Sequence, residues 1–237
     1  MNEIPSYEIE EINLIDYNDE TRNIILSNLK NYTKLKKFEC SYCGLTELPE
    51  LPKTLIKLYC WKNNLMKLPK LPDSLKYLDC SYNNLTELPD LPHLLIELHC
   101  DDNNLTELPK LPNSLINSLI DLGFGNNNLT KIPDLSKFIS LNYLFVPNNN
   151  LTELSDLPIS LTELICFNNN LTYSNFEIKT INETNSKNRI IKRMQLLNRT
   201  LLLEQSAVIT MNPKRIERLL DNNEINFFDG SFDTLTS

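Results

Sequence analysis

The sequence predicts a solenoid, in which short parallel strands stack along one axis. The first observation is a segment of twenty residues, Leu55–Ser74, whose apolar pattern returns in the segments that begin at Leu75 and Leu95. Repeats of this length indicate stacked units that bury a shared core. The second observation is that leucine, cysteine, asparagine and proline keep fixed places in each segment, following the template L-x-x-L-x-C-x-x-N-x-L-T-x-L-P-x-L-P-x-S.

Seven copies of this template follow one another. They begin at Leu35, Leu55, Leu75, Leu95, Leu119, Leu141 and Leu161. The fourth copy has four extra residues, because Asn113–Ile116 is followed by its duplicate Asn117–Ile120. The fifth has two extra residues, where Leu135–Ser140 replaces the shorter turn. We therefore assign residues 35–174 to the repeats.

Each copy is predicted to begin with a short strand. Leu58 and Cys60 are two residues apart, so the pleat of a strand places both side chains on one side, towards the core. An asparagine follows where the chain turns out of the strand, and its amide can bond the turn backbones of its own and the adjacent copy. We predict a structural ladder of these side chains, which comprises Asn63, Asn83, Asn103, Asn127, Asn149 and Asn169.

The remainder of each copy carries the L-P-x-L-P motif. Proline fixes φ near −65° and lacks an amide hydrogen, so two prolines in five residues disfavour a helix. We predict an extended, polyproline-like segment on the outer, convex side of the solenoid.

The template resembles the leucine-rich repeat (LRR), L-x-x-L-x-L-x-x-N/C-x-L. The short repeat with its L-P-x-L-P turn is similar to the repeats of secreted bacterial effectors. The cysteine at the third apolar position, together with much asparagine and isoleucine, resembles the LRR proteins of giant, mimivirus-like viruses of amoebae. The resemblance implies a right-handed LRR solenoid of the α/β class. If the chain is viral, the resemblance also implies a host protein as partner and the host cytoplasm as location.

A solenoid exposes its core at both ends unless other residues cover it. We predict an N-terminal helical cap in residues 1–34, with a helix over Asp19–Lys30 and an extended segment around Ile12 and Leu14. Residues 175–237 contain two amphipathic helical patterns, at about 187–209 and from Asn212 onward. Two interpretations stay open for this segment: a helical cap, or a small helical domain with its own partner.

Composition limits the classes of partner. The chain has 237 residues and a formal net charge of −8, which argues against a nucleic-acid backbone as partner. It has no apolar run near the roughly 20 residues that cross a bilayer, and no signal peptide is recognisable at Met1. We therefore expect a cytoplasmic protein that binds neither nucleic acid nor membrane.

The six cysteines are explained by the repeat. Five of them hold the same template position, and Cys43 takes the asparagine position of the first copy. We predict buried free thiols rather than disulfides or a metal site.

Nothing in the sequence indicates catalysis. The chain has four glycines and two histidines, His93 and His99, and no nucleophile elbow, phosphate loop or metal-ligand spacing. Some bacterial effectors with similar repeats carry a ubiquitin-ligase domain with a catalytic cysteine, but no cysteine follows Cys166 here. We predict a protein that is not an enzyme and that needs no cofactor or metal.

The outward strand positions lie two, four, six and seven residues after the first leucine of each copy. Aromatic side chains at these positions are expected to meet in the first three copies, and acidic side chains, with one histidine, are expected to follow across the middle. The predicted partner-binding residues are Tyr42, Tyr59, Trp61, Tyr77, Asp79, Tyr82, Glu97, His99, Asp101, Asp102 and Asp121. A second apolar area is expected at Phe145, Ile165 and Phe167.

These positions predict a protein-binding module that uses the concave face. Exposed aromatic side chains are typical anchors of interfaces, and acids beside them favour a partner with basic and apolar side chains. Two alternatives remain. Aromatic residues also favour strands, and acids keep a sheet soluble, with no partner involved. The chain could instead be a scaffold whose C-terminal helices mediate binding or oligomerisation.

Overall fold

The computed structural model describes residues 3–171. These residues form one sheet of eight parallel strands, in which each strand pairs with the next one along the chain. The strands are β1 (Glu11–Asn13), β2 (Lys37–Glu39), β3 (Lys57–Tyr59), β4 (Tyr77–Asp79), β5 (Glu97–His99), β6 (Asp121–Gly123), β7 (Tyr143–Phe145) and β8 (Glu163–Ile165). The predicted parallel-strand solenoid is confirmed.

The seven copies stack without a change of register. Lys37 pairs with Lys57, Lys57 with Tyr77, and this pattern continues to Tyr143 and Glu163. The two insertions therefore leave the strands in register, because the additional residues lie outside the sheet. The central residue of every repeat strand is buried, and these residues are Phe38, Leu58, Leu78, Leu98, Leu122, Leu144 and Leu164.

A second buried column follows one position after the strands. Cys40, Cys60, Cys80, Cys100 and Cys166 occupy it, together with Phe124 and Val146. All six cysteines, including the half-buried Cys43, are free thiols. The sulfur atoms of Cys80 and Cys100 lie 3.3 Å apart. Burial raises the pKa of the Cys60 and Cys100 thiols well above the usual range, so these groups pack as small apolar side chains.

The asparagine after each strand connects neighbouring copies. The Asn103 amide nitrogen donates to the backbone oxygens of Cys80 and Cys100 at 3.1 and 3.2 Å, one in each copy. The Asn103 side-chain oxygen accepts from the Leu85 amide at 2.9 Å. The same pattern recurs from Asn63 to Asn169. Buried backbone groups at the turns are thereby satisfied, and the stack is held rigid.

The N-terminal segment adds the eighth strand. Strand β1 pairs with β2, and Ile12 and Leu14 are buried against the first copy. Helix α1 (Asp19–Ser27) begins after Asn18, whose side chain accepts from the Thr21 amide. It ends three residues earlier than the sequence predicts, and a 3-10 turn (Leu29–Asn31) continues from it. Ile25 and Leu29 are buried in the common core.

On the convex side, the fourth copy contains a short helix in place of a fully extended segment. A 3-10 helix (Asn113–Asn117) occupies the duplicated segment of the fourth copy and follows Pro112, which has φ −61° and ψ 141°. The duplicated residues lengthen this segment, and a short helical turn takes up the additional length. The helices predicted within 175–237 lie outside the described residues. Among residues 3–171, no helix is long and apolar enough to cross a membrane.

Candidate functional site

The seventh position of every copy has a backbone conformation that the sequence does not reveal. Its φ is positive, between 52° and 56°, at Tyr42, Lys62, Tyr82, Asp102, Asn126, Asn148 and Asn168. Residues other than glycine seldom adopt this left-handed conformation. Here the chain must turn sharply out of the strand, and this turn presents the seventh side chain to solvent. Tyr42 and Tyr82 are 52% and 53% exposed.

The predicted aromatic residues lie along the first three copies. Tyr42 and Trp61 make an edge-to-face contact with ring centroids 4.4 Å apart. Tyr59 ends strand β3, two residues before Trp61, and Tyr77 begins the neighbouring strand β4. The structure thus brings two of the predicted rings into direct contact, and a single cluster of all five stays a prediction.

Two lysines lie over these rings. The Lys62 ammonium lies 4.4 Å from the centre of the Tyr42 ring, and the Lys57 ammonium lies 4.9 Å from the centre of the Tyr77 ring. Both distances fit cation–π contacts, which hold the ammonium groups at the sheet surface.

The sheet face contains two open hollows. The central hollow has a volume of about 350 Å³ and is lined by Trp61, Asp79, Ser81, Tyr82, His99, Asp101, Asp102, Asn126 and Phe145. The smaller hollow, of about 250 Å³, is lined by Tyr59, Tyr77, Leu78, Asp79, Glu97 and His99. Nine of the eleven predicted binding residues line a hollow. The other two contact a lining residue: Tyr42 contacts Trp61, and Asp121 contacts His99.

His99 joins two carboxylates across neighbouring strands. Its Nδ1 lies 3.8 Å from Asp101 Oδ2, and its Nε2 lies 3.6 Å from Asp121 Oδ2. The contact with Asp101, followed by that with Asp121, raises the pKa of His99 to about 10, while burial acts in the opposite direction. His99 is therefore a cation at neutral pH, and the Asp101–His99–Asp121 cluster carries one net negative charge.

Two glycines leave the space that the side chains of this cluster and of Phe145 occupy. A Cβ atom on Gly123 would lie 2.9 Å from both His99 Nδ1 and Asp101 Oδ2. A Cβ atom on Gly125 would overlap the Phe145 ring, and the Gly125 amide donates to Asp101 Oδ1 at 2.6 Å. Asp101 is thereby held at two points. The sequence places both glycines at outward positions but does not indicate that they make space for neighbouring side chains.

The acidic group comprises Asp79, Glu97, Asp101, Asp102 and Asp121. The negative charge of this group affects neighbouring side chains. The pKa of Tyr143 is raised to about 12, first by burial and then by the charges of Glu163 and Asp121. Burial and Asp121 also raise the pKa of Glu163. The Asp102 carboxylate is the main cause of the raised pKa of Tyr82. The middle of the sheet face thus has a negative potential.

A second, exposed row of amides continues from Asp102. The Asn126 amide donates to the Asp102 carboxylate, Asn148 donates to Asn126, and Asn168 donates to Asn148. This row was not predicted, although asparagine recurs at the seventh position in the last three copies. The row extends the ordered polar edge of the face to the last described copy.

The predicted second apolar area is only partly exposed. Phe145 lines the central hollow and Phe167 is half-buried, but Ile165 is 5% exposed and does not belong to a free surface. Ile165 lies beside Phe145 in the sheet register, and a large ring on the adjacent strand leaves little of a branched side chain open.

Within residues 3–171, no group of three or more histidine, cysteine, aspartate or glutamate side chains is arranged to hold a metal ion. The Asp101–His99–Asp121 cluster instead has the geometry of ion pairs, since its N···O distances exceed 3.5 Å. What this arrangement offers chemically is a rigid face with aromatic contact area and negative charge.

Comparison with known proteins gives matches of structure. No protein-family model matches the sequence, and a search of curated proteins gives no match. YopM from Yersinia enterocolitica superposes with a TM-score of 0.55 and 35% sequence identity, over 59% of this chain and 30% of YopM. The LRR domain of a Shigella effector gives a TM-score of 0.49 and 32% identity, over 60% of this chain and 63% of that domain.

A third match is the LRR protein FLRT2, in an octameric complex with Latrophilin 3 and Unc5D. It has a TM-score of 0.50 and 23% identity, over 67% of this chain and 51% of that one. This chain spans less than two thirds of the length of each of these three neighbours. The fold is thus that of an LRR solenoid. The predicted resemblance to the repeats of bacterial effectors is confirmed by YopM, whereas the giant-virus resemblance stays a prediction.

Proposed function

We propose that this chain is a non-enzymatic protein-binding module whose partner docks on the concave face of the sheet. One observation carries the proposal: aromatic side chains and three carboxylates of the acidic group line the same open hollow on a continuous sheet face. Solenoids typically bind partners on such extended concave surfaces.

The aromatic residues supply the anchoring area. Tyr42, Trp61 and Tyr82 present large amphipathic rings, and the Tyr42–Trp61 contact fixes two of them before a partner arrives. Rigid aromatic side chains lose little conformational entropy on binding, which is why they dominate interface energies. We therefore assign Tyr59, Trp61, Tyr77 and Tyr82 the role of anchors.

The acidic group supplies the orientation. Carboxylates around a half-buried hollow favour basic side chains of a partner and disfavour acidic ones. The contacts of Asp101 with Gly125 and His99 keep this charge in place without the cost of ordering it on binding. The partner is accordingly a protein with basic and apolar side chains, rather than a nucleic acid or a membrane.

The neighbours of this fold support a role in protein assembly. FLRT2 is found in an octameric complex with Latrophilin 3 and Unc5D. YopM from Yersinia enterocolitica has the same fold and is 35% identical to this chain. We propose that this chain likewise acts on a protein partner, in the cytoplasm, and on a host protein if the giant-virus resemblance holds.

Affinity capture from cell lysate tests the proposal. The chain is compared with a Tyr59→Ala/Trp61→Ala/Asp101→Lys variant, after circular dichroism has shown that both are folded. The matched control is Met66→Ala/Leu94→Ala/Asp90→Lys, which removes two exposed apolar side chains and reverses one charge outside the sheet. A protein captured by wild type and control but lost by the first variant supports docking on the sheet. Equal capture by all three contradicts it.

A further inference from the structure

We infer that the sheet face recognises a partner segment with charges of both signs in a fixed order. Its acidic residues lie against the second copy, and its basic residues lie against the third to fifth copies. This inference rests on the proposed function, because it describes the partner of the same face. It adds the orientation in which the partner lies along the solenoid.

The second copy presents positive charge. Lys57 and Lys62 make no ion pair with a carboxylate within residues 3–171, and their ammonium groups lie over the rings of Tyr77 and Tyr42. A cation–π contact leaves the outer side of an ammonium group open to a further anion. The two lysines are therefore held at the surface with unused hydrogen-bonding capacity.

The first copy does not fully cancel this charge. Lys37 pairs with Glu11 at 3.5 Å, so that pair is neutral. The Glu39 carboxylate accepts from the Ser41 amide at 3.1 Å, as Asp79 does from Ser81, and keeps its negative charge. It offsets one of the two lysine charges of the second copy, so this end of the face keeps one net positive charge.

The third to fifth copies present the opposite charge. Their outward positions hold the five carboxylates of the acidic group and one cation, His99, and they contain no lysine or arginine. His99 neutralises one carboxylate only, so the group keeps about four negative charges. The sign of the surface charge therefore reverses between the second copy and the fourth.

The two charged regions lie far enough apart to contact different residues of a partner. Adjacent strands lie about 4.8 Å apart, so the second copy is roughly 10 Å from the fourth, which holds three of the five carboxylates, and roughly 15 Å from the fifth. At physiological ionic strength the Debye length is about 8 Å, so the lysines and most of these carboxylates are partly screened from each other. A partner charge thus responds mainly to the region directly beneath it. An extended chain covers roughly 10 to 15 Å in three to five residues.

A simple attraction between an acidic protein and a basic ligand is the competing explanation. The net charge of −8 would favour the ligand with the most positive charge, irrespective of order. The two explanations rank the same ligands differently, so they can be separated with synthetic peptides.

Three labelled peptides of equal length serve as probes against the intact chain, measured by fluorescence anisotropy at 0.15 M salt. The mixed peptide has two glutamates and two arginines separated by four uncharged residues, including aromatic ones. The basic peptide has arginines in place of the glutamates, and the neutral-end peptide has glutamines there. We expect the mixed peptide to bind roughly threefold to tenfold more tightly than either other peptide, as two additional ion pairs would provide.

Charge reversal of the lysines gives the decisive comparison. In Lys57→Glu/Lys62→Glu the basic peptide should bind more tightly than the mixed one. The control Lys67→Glu/Lys70→Glu makes the same change in net charge on exposed lysines of the same copy outside the sheet, and it should keep the wild-type order.

A wrong charge order and a failure of docking on the sheet give different results. If the basic peptide binds wild type at least as tightly as the mixed one, and the Tyr59→Ala/Trp61→Ala/Asp101→Lys variant loses both, the sheet face binds but the charge order is wrong. If no peptide binds, or if binding survives that variant, docking on the sheet is contradicted, and the inference is contradicted with it.

Discussion

At the scale of single residues, His99 shows how the site depends on its surroundings. An exposed histidine is mostly neutral at pH 7, but two carboxylates at 3.6 and 3.8 Å keep His99 charged. The folded-state pKa, about 10, lies above the ordinary value of 6.5. The stabilisation is therefore fully present below pH 6.5 and is lost as the pH rises through about 10.

The variant His99→Gln tests this dependence. We expect it to lower the free energy of unfolding by roughly 1–2 kcal/mol at pH 6 and by little above pH 10, because two partly exposed ion pairs are lost. Urea unfolding across this pH range measures the difference. His93→Gln is the control, since the His93 ring contacts the Ser114 hydroxyl rather than two carboxylates. A constant difference for His99→Gln at all pH values would contradict the account.

Gly125 is a residue whose small size matters for the site. In Gly125→Ala the added Cβ would overlap the Phe145 ring and lie 3.1 Å from Pro147 Cδ. We expect a loss of about 1–3 kcal/mol, as is usual for overpacking. In a Phe145→Leu background the same substitution should cost less than about 1 kcal/mol, because the ring is gone. Equal costs in both backgrounds, measured by chemical denaturation, would show that Phe145 is not the obstacle.

At the scale of the repeat element, the buried asparagine sets the shape of each turn. Its amide donates into two copies, and its oxygen accepts from the copy before. This is why strands of only three residues can form a continuous sheet: the turns are bonded as well as the strands.

Asn103→Asp tests this role with almost no change of shape. The aspartate keeps the acceptor for the Leu85 amide but loses the donors, and its charge faces the backbone oxygens of Cys80, Cys100 and Asp101. We expect a loss of roughly 2–4 kcal/mol. The matched control Asn104→Asp changes the adjacent, exposed residue and should stay within about 0.5 kcal/mol of wild type. Similar losses in both variants would refute the role of the ladder.

The sequence predicts this element well because its signals are local and repeated. The buried columns through Leu58 and Cys60 and the position of Asn63 follow from spacing alone. The left-handed turn at Tyr42 was not predictable in the same way, since residues as different as tyrosine, lysine and asparagine hold this position. Backbone geometry, and not residue type, is what the copies share there.

The site was less predictable than the fold, because it depends on contacts between copies. Spacing placed His99, Asp101 and Asp121 on one face. It did not show that His99 bridges the two carboxylates, or that Gly123 leaves room for this contact. These facts depend on side-chain directions across strands, which a template of single positions does not contain.

At the scale of the whole molecule, the repeats should behave as nearly independent units. Each copy contacts its neighbours through the same columns, so removal of residues 55–74 should let the third copy stack on the first. Thr54 would then precede Leu75 as Ser74 does now. We expect a folded chain, with Tm lower by about 5 to 10 °C.

Removal of half a copy is the control for that deletion. Without residues 55–64, Pro69 would take the place of Tyr59 in the strand, where proline cannot donate to the sheet. We expect this shorter deletion to abolish cooperative unfolding in circular dichroism melts. If the longer deletion is the more damaging of the two, the copies do not stack as units.

The central claim is that a partner protein contacts the sheet face, and site-specific photo-crosslinking tests it most directly. A photoreactive phenylalanine analogue is placed at Tyr82, 53% exposed on the sheet face, or at Met66, 69% exposed outside the sheet. Each chain is irradiated with the partner obtained by affinity capture. Crosslinking from position 82 and none from position 66 is the predicted result. Crosslinking from position 66 alone would contradict docking on the sheet.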